Sequence, residues 1–378
     1  MTLSYNDDQR MLCDTASGFV AEATPVKALR QLRDSGDQTG YSPDLWKQFA
    51  EMGFTSILIP EAEGGMGMGH MEAGIVLHEL GRNVALTPFL STAIGAVTAL
   101  KHANDELRGK WFEKIASADA VVAIAVDEAS KHKPQNIALE AKAAGDEFVL
   151  NGDKTLVVHG HTADLILVAA RTSGAIGSTE GLTLFAVEKG AEGLTASPER
   201  LVDSSFGSLL RFDNVKVNSS NVIGEVDKGW TVIEPTLLAL SLGSAAELQG
   251  VATEAMDMTV EYLKVRKQFD VIIGTFQALQ HRAAHLFSEL EVSKAAIRKA
   301  QRMLDDGETG ADKAIHVAKA MAENAGHLSV QEGVQLHGGI GMTDEHDIGL
   351  YMKRARALAE LFGDANYHAD QLAQKNGY

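Results

Sequence analysis

The hydrophobic period of this chain changes twice, and that double change limits what it can fold into. Residues 1 to about 118 place apolar side chains at helical spacing, clearest in MEAGIVLHELGRNVALTPFLSTAIGAVTALKH and ELRGKWFEKIAS. From about 119 to 225 the runs become short, β-branched and apolar: VVAIAVDE, EFVLNGDKTLVVHG, ADLILVAART, GLTLFAVEKG and RFDNVKVN. Gly, Asp and Asn punctuate them at the spacing of a β-sandwich or barrel. From 226 to the end the helical period returns. The reading is mainly α with a central β domain: an N-terminal helical domain (1–118), a middle β domain (119–225) and a C-terminal four-helix bundle (226–378). At 378 residues the chain is long enough for two or three domains with a sizeable core.

The segment 231–266 is expected to form one helix of ~54 Å at 1.5 Å per residue, with Pro235 near its first turn. Three more helices are expected over 275–303, 311–337 and 347–361. Asn151-Gly152 has the composition of a hairpin turn. Two Gly-rich stretches, IPEAEGGMGMGH (59–70) and HGGIGMTDEHD (337–347), must be loops. Neither carries the GK[ST] of a phosphate loop, and neither has the strand-to-helix setting of a dinucleotide fingerprint.

Charge and cysteine usage narrow the function classes. Thirty-four Lys and Arg against 51 Asp and Glu give a formal charge of −17, which disfavours nucleic acid and anionic membrane as partners. The lone Cys13 excludes an internal disulfide and a cysteine-based zinc site. The start, MTLSYNDDQR, has no signal-peptide pattern, and no apolar run reaches the ~18 residues of a membrane span, so a cytoplasmic enzyme is expected. His281 and His285 share a helix face in HRAAH, but Arg282 stands where a zinc hydrolase places its Glu. His159 and His161 have no third ligand nearby. No metal site is expected, and no G-x-S-x-G elbow appears.

Two polar features remain. VRKQFD (265–270) ends the long helix. Arg266 and Lys267 suit phosphate, and Phe269 suits an aromatic wall, although the same pair also suits a solvated helix cap. Glu247 lies among Leu240, Gly243, Ser244, Gly250 and Val251 at helical spacing. A carboxylate desolvated there would suit a general base; the other reading is a surface Glu among alanines.

At this point the chain resembles a family. EYLKVRKQFDVIIGTFQALQHRAAHL (261–286) and QLHGGIGMTDEHDIGLYMKRA (335–355) look like the C-terminal domain of acyl-CoA dehydrogenases. NGDKTLVVHGHTADLILVAART (151–172), RFDNVKVNSSNVIGEVDKGW (211–230) and MGFTSILIPEAEGGMGMG (52–69) resemble other parts of the same family, so the likeness covers nearly the whole chain. It implies a flavoprotein that removes hydrogen from the α,β carbons of an acyl-CoA thioester. FAD would sit between subunits of a homo- or heterotetramer, and an electron-transfer flavoprotein-like acceptor would take the electrons. Carried over, Arg266, Gln268, Phe269, Gln277, Gln335, Gly338 and Gly339 would reach the FAD of the dimer mate, with Val126, Asp127 and Val158 as contacts on the β-domain side.

The departures from the family pattern are specific. The usual base sits in a Tyr-Glu-Gly segment, and Phe362 followed by Gly363 stands there instead. A subset of the family carries the base on the long helix, which implies Glu247, 19 residues before Arg266; that subset takes bulky, often steroid-like, acyl-CoA substrates and forms heterotetramers. The β-domain stretch that meets the flavin reads DEASKHKP (127–134), and the usual Trp-x-Thr reads Leu156 and Val158, without a hydroxyl. Two alternatives follow: a non-catalytic subunit that completes a partner's FAD site, or a flavin oxidase or monooxygenase on the same fold.

Overall fold

The structure is a computed structural model that describes residues 3–378. Residue contacts divide it into two compact units. Of the described residues, the first comprises 3–35, 70–85 and 241–378; the second comprises 36–69 and 86–240.

The first unit is helical. α1 (Asp7–Ala23) starts on a capping box in which Asn6 and Gln9 exchange side-chain and backbone hydrogen bonds. α2 (Val26–Ser35) and α4 (His70–Arg82) belong to the same unit, while α3 (Pro43–Glu51), the π-helix Leu90–Ala96, α5 (Val97–Leu100) and α6 (Asp105–Ala116) fall in the second. α7 (Trp230–Val265) crosses the division after Leu240. α8 (Gln277–Asp305), α9 (Ala311–His337), α10 (Ile348–Glu360) and α11 (Ala365–Lys375) complete the helical unit. Pro235 is the sixth residue of α7, just past the first turn. α11 was not expected at all; its signal is Asp364, whose side chain accepts the Tyr367 amide as an N-cap.

α7, α8, α9 and α10 form the bundle. Ala252, Leu286, Leu290 and Ala325 make a core cluster from the first three, with Met256 and Leu328 packed against it. Side chains on α7 meet α10 in step. Ser241 Oγ donates to the Phe362 carbonyl (3.4 Å), Ser244 Oγ donates to the Leu358 carbonyl (3.1 Å), and Glu247 accepts from Arg354. These positions rise along α7 as their partners fall from Phe362, two residues past α10, to Leu358 and Arg354 within it, so the two helices run antiparallel. α4 crosses α7 without side chains between the backbones. A Cβ on Gly81 would lie 2.0 Å from the Glu247 carbonyl oxygen, and one on Gly250 would lie 1.9 Å from that of His78.

A buried lysine closes the C-terminus of α10. Lys319 Nζ donates to the Leu358 (2.7 Å) and Ala359 (3.1 Å) carbonyls and is fully buried. Desolvation pulls its ammonium from 10.5 down to about 8, against the pull of Glu323, Glu360 and Asp364. Below about 8 the lysine is protonated both folded and unfolded, and the full cost of burying the charge is present. Between about 8 and 10.5 only the unfolded chain holds the proton, so native stability rises with pH in that window. Urea midpoints are therefore expected to climb more steeply across it for the wild type than for Lys319→Met. Parallel slopes would show that another group titrates there.

The second unit carries the expected central β domain, its strands linked in one eight-stranded sheet. Its strands are β1 (Val122–Ala125), β2 (Glu140–Ala144), β3 (Glu147–Lys154), β4 (Leu165–Arg171), β5 (Leu182–Glu188), β6 (Leu194–Arg200), β7 (Phe206–Asn218) and β8 (Val222–Ile223). The order is β6-β7-β3-β2-β4-β5-β8, with β1 parallel to β4. β4 is buried throughout, as its unbroken apolar run requires. Asn151-Gly152 is not a turn but lies inside β3. There Asp213 and Asn214 of β7 oppose the single Asn151, forming a bulge with Asn214 in the left-handed region (φ 56°). The actual β2–β3 turn is Gly145-Asp146, with Gly145 at φ 68°. Asn-Gly chemistry thus marked irregular backbone correctly and its type wrongly. At the end of β4, buried Arg171 donates to the carbonyls of Ile137 (2.8 Å), Glu180 (3.0 Å) and Ser178 (2.9 Å), tying the adjoining loops together.

Candidate active site

In the helical unit α7 ends at Val265, and a two-strand hairpin follows: β9 (Lys267–Gln268) paired with β10 (Val271–Ile272). The two residues between them, Phe269 (φ 54°) and Asp270 (φ 64°), are both left-handed, the geometry of a type I′ turn that ordinarily takes Asn-Gly. Each such non-glycine residue is strained, and Phe269 is 89% exposed. Arg266 is exposed, and its carbonyl accepts the Ile273 amide. Gln268 is exposed and donates to the Lys267 carbonyl at 2.8 Å. The hairpin therefore presents a guanidinium, an amide and an aromatic ring to the outside. The sequence showed these residues but not the strained turn that displays them. Gln277, the first residue of α8, is exposed in the same unit.

A second patch follows α9. Gln335 is exposed, Gly338 sits at φ 65°, and a Cβ on Gly338 or Gly339 would meet nothing within 4 Å. Both glycines leave room for close approach to their backbone. Between them and Gln335 lies His337, which sequence reasoning passed over. Its Nδ1 donates to the Gly333 carbonyl at 2.6 Å, and its ring packs on Tyr262 (4.6 Å) and His346 (4.2 Å). It is 2% exposed, and its buried Nε2 has no hydrogen-bond partner. An exposed cation and ring, open glycine backbone and an orphaned buried nitrogen fit a nucleotide cofactor on this side.

Phe362 is left-handed (φ 60°), and its carbonyl is held by Ser241 Oγ and by His368 Nε2 at 3.1 Å. The next acid along, Asp364, caps α11, and Glu360 pairs with Arg356 at 2.7 Å. Glu323 is buried and desolvation pushes its carboxyl up, yet it is engaged by the Ala365 amide at 2.6 Å. Glu247 is 3% exposed, as its apolar setting predicts. It does not stand among small apolar groups alone, however. Arg354 donates to Oε1 from Nε (2.9 Å) and also from Nη2. The guanidinium favours the ionised carboxylate and so opposes the effect of burial. Arg354 lies in the YMKRA run; its role was invisible because 107 residues separate the pair.

In the second unit the stretch expected to meet the flavin is closed on itself. The Asp127 carboxylate accepts from His132 Nδ1 (2.8 Å) and the Lys133 amide (3.2 Å). The Val126 carbonyl accepts from buried Lys154 Nζ (3.0 Å), which also pairs with Glu128 (2.6 Å). Leu156 is left-handed and 41% exposed, and Val158 is half-buried. These residues offer a flavin ring backbone and apolar surface but no hydroxyl. His281, His285, His159 and His161 gather no metal site; among the described residues no group of three potential ligands exists.

Comparison with known proteins places the chain. Sequence models of the acyl-CoA dehydrogenase N-terminal, middle and C-terminal domains match residues 6–119, 110–215 and 227–376. The acyl-CoA dehydrogenase FadE27 of Mycobacterium tuberculosis is 30% identical over 365 residues, 94% of this chain and 92% of that protein. Among solved structures, the ChsE4-ChsE5 complex of M. tuberculosis superposes with a TM-score of 0.90 at 25% identity, covering 100% of this chain and 99% of that one. A steroid ACAD, Tcur3481-Tcur3483, reaches 0.88 at 27% identity, covering 99% and 98%. No helix among the described residues is long and apolar enough to cross a membrane. With the domain order, the nucleotide-compatible patches and these likenesses in agreement, the chain belongs to the acyl-CoA dehydrogenase family, FAD-dependent oxidoreductases acting on CH–CH bonds.

Proposed function

We propose that this chain is a cytoplasmic enzyme subunit that dehydrogenates the α,β bond of a bulky, steroid-like acyl-CoA, in a tetramer with a related chain, and that Glu247 is the base. The observation that carries this reading is the pairing of Phe362 at the family's usual base position with a buried carboxylate on α7. Glu247 takes the Cα proton. Arg354 orients the carboxylate and keeps it ionised until then. When bound, FAD supplies the acceptor for the β-hydrogen and its electron pair. Arg266, Gln268, Phe269, Gln277, Gln335, Gly338 and Gly339 would hold the nucleotide end of the FAD of the dimer mate, and Val126, Asp127 and Val158 would offer a flavin ring backbone and apolar surface. An electron-transfer flavoprotein-like partner would be the acceptor for the electrons. The likenesses to a steroid ACAD and to a two-component complex support the substrate class and the assembly.

The closed β-unit stretch around Asp127 and Lys154 favours a second reading, a subunit that completes a related chain's FAD site without turning over itself. A visible spectrum separates the two. The catalytic reading expects flavin absorbance that bleaches on adding a saturated steroid side-chain CoA ester anaerobically. A colourless chain that gains flavin only with its partner would favour the second reading. Bleaching by butyryl-CoA but not by the steroid ester would overturn the substrate class, and fast oxygen consumption would point to an oxidase.

A further inference from the structure

Within the helical unit a cavity of about 320 Å³ lies between α1, α4, α7 and α8. It opens away from the face of α7 that carries the Glu247 carboxylate: Ala246 and Gln249 form its floor, whereas Glu247 turns to Arg354 on α10. The volume is at the lower end of the range of small-molecule sites, ~300–1,000 Å³.

The floor holds an unsatisfied group. Gln249 is 3% exposed, and its Nε2 donates to the Leu290 carbonyl at 3.2 Å, which fixes the amide orientation. Its Oε1, buried, has no hydrogen-bond partner. A buried acceptor left unpaired costs roughly 1–3 kcal/mol, so the position calls for an N–H or O–H donor.

The walls are charged with opposite sign. On the α1 and α4 side stand Asp14 and Glu79, together with His78 and with Arg82, whose guanidinium is paired with Glu254 (2.6 Å) and Asp257 (3.0 Å). Glu79 is 5% exposed and is held below its ordinary range by His78, Arg82 and Ser17, which outweigh the desolvation that would raise it. On the α8 side stand Lys294 and Arg298. Arg298 lies 4.0 Å over the Tyr5 ring and spends one N–H on the Leu3 carbonyl, leaving donors in its fork. Lys294 has only a half-exposed pairing with Glu291, a weak tie. Ile297 supplies an apolar surface between them.

An anion alone would meet Glu79 and Asp14, and a cation alone would meet Lys294 and Arg298. We infer that this cavity is a binding site for a small zwitterion, an α-amino acid with an aliphatic side chain. Its ammonium donates to Gln249 Oε1 beside Glu79, its carboxylate lies against Arg298 and Lys294, and its side chain rests on Ile297 and Ala246.

The probe is L-leucine, titrated calorimetrically into the whole flavin-loaded chain. Two analogues each delete one charge: 4-methylpentanoate lacks the ammonium and 3-methylbutylamine lacks the carboxylate. Leucine is expected to bind at least ~10-fold more tightly than either, since one deletion leaves the buried Gln249 Oε1 without a donor and the other leaves Arg298 and Lys294 without a counter-charge. Gln249→Leu, close in volume, should bind leucine about as weakly as 4-methylpentanoate while melting cooperatively. If that variant fails to fold, the two analogues on the wild type decide the matter alone. Equal affinity for leucine and 4-methylpentanoate, or no heat with millimolar leucine, would mean the cavity holds only water and would overturn the assignment.

Discussion

Glu247→Gln is expected to lower turnover of the cognate acyl-CoA by about 10²–10⁴-fold per flavin-loaded subunit. Glutamine keeps the shape of the side chain and can still accept from Arg354, so the fold and flavin content should survive, but it cannot take the Cα proton. The comparison that separates a base from a merely structural acid is Arg354→Met. Removing the guanidinium strips the carboxylate of its counter-charge, and the acid limb of the pH–rate profile should move to higher pH while turnover above that limb persists. A purely structural Glu247 would behave otherwise. Both variants would then lose stability together, and Glu247→Gln would keep turnover within about tenfold once corrected for folded protein.

The largest effect on stability is expected in the second unit. Lys154→Met removes the cation from a buried pair and leaves Glu128 charged, at an expected cost of about 3–5 kcal/mol. Desolvation already pulls the Lys154 ammonium down to about 8, which shows how dry its surroundings are. The Ala138 (2.7 Å) and Leu139 (3.0 Å) amides still hold Glu128, so the loss should centre on the strands that Lys154 joins. Hydrogen exchange would read it as lost protection in β1 and β3. Adding Glu128→Gln should restore most of the protection, because the stranded charge is then gone. A double variant as weak as the single one would show that packing of the lysine stem, not charge, is what matters.

How much of this was readable beforehand depended on range. The switch between helical and alternating periods marked the helices and strands because side-chain burial on one face repeats locally. α7 came out within one residue at each end for that reason. α11 was missed because its signal is a single capping Asp after a glycine rather than a long apolar stripe. Asn151-Gly152 was misplaced because the same dipeptide serves a turn and a bulged strand, and only the partner strand β7 decides between them. The exposed hairpin residues and glycines were legible as motifs. The partners of the buried charges were not: Arg354 with Glu247, Lys154 with Glu128 and Lys319 with the end of α10 all bridge distant positions, and nothing in local spacing encodes them.

The bare crossing of α4 and α7 bears on how such an enzyme can be retuned. With Gly81 against the main chain of residue 247, and Gly250 against that of residue 78, neither helix can slide or roll without collision. The reach of the acid is therefore anchored through peptide units, which substitution cannot shorten. Adapting the subunit to a differently shaped thioester has to proceed through side chains on its other faces.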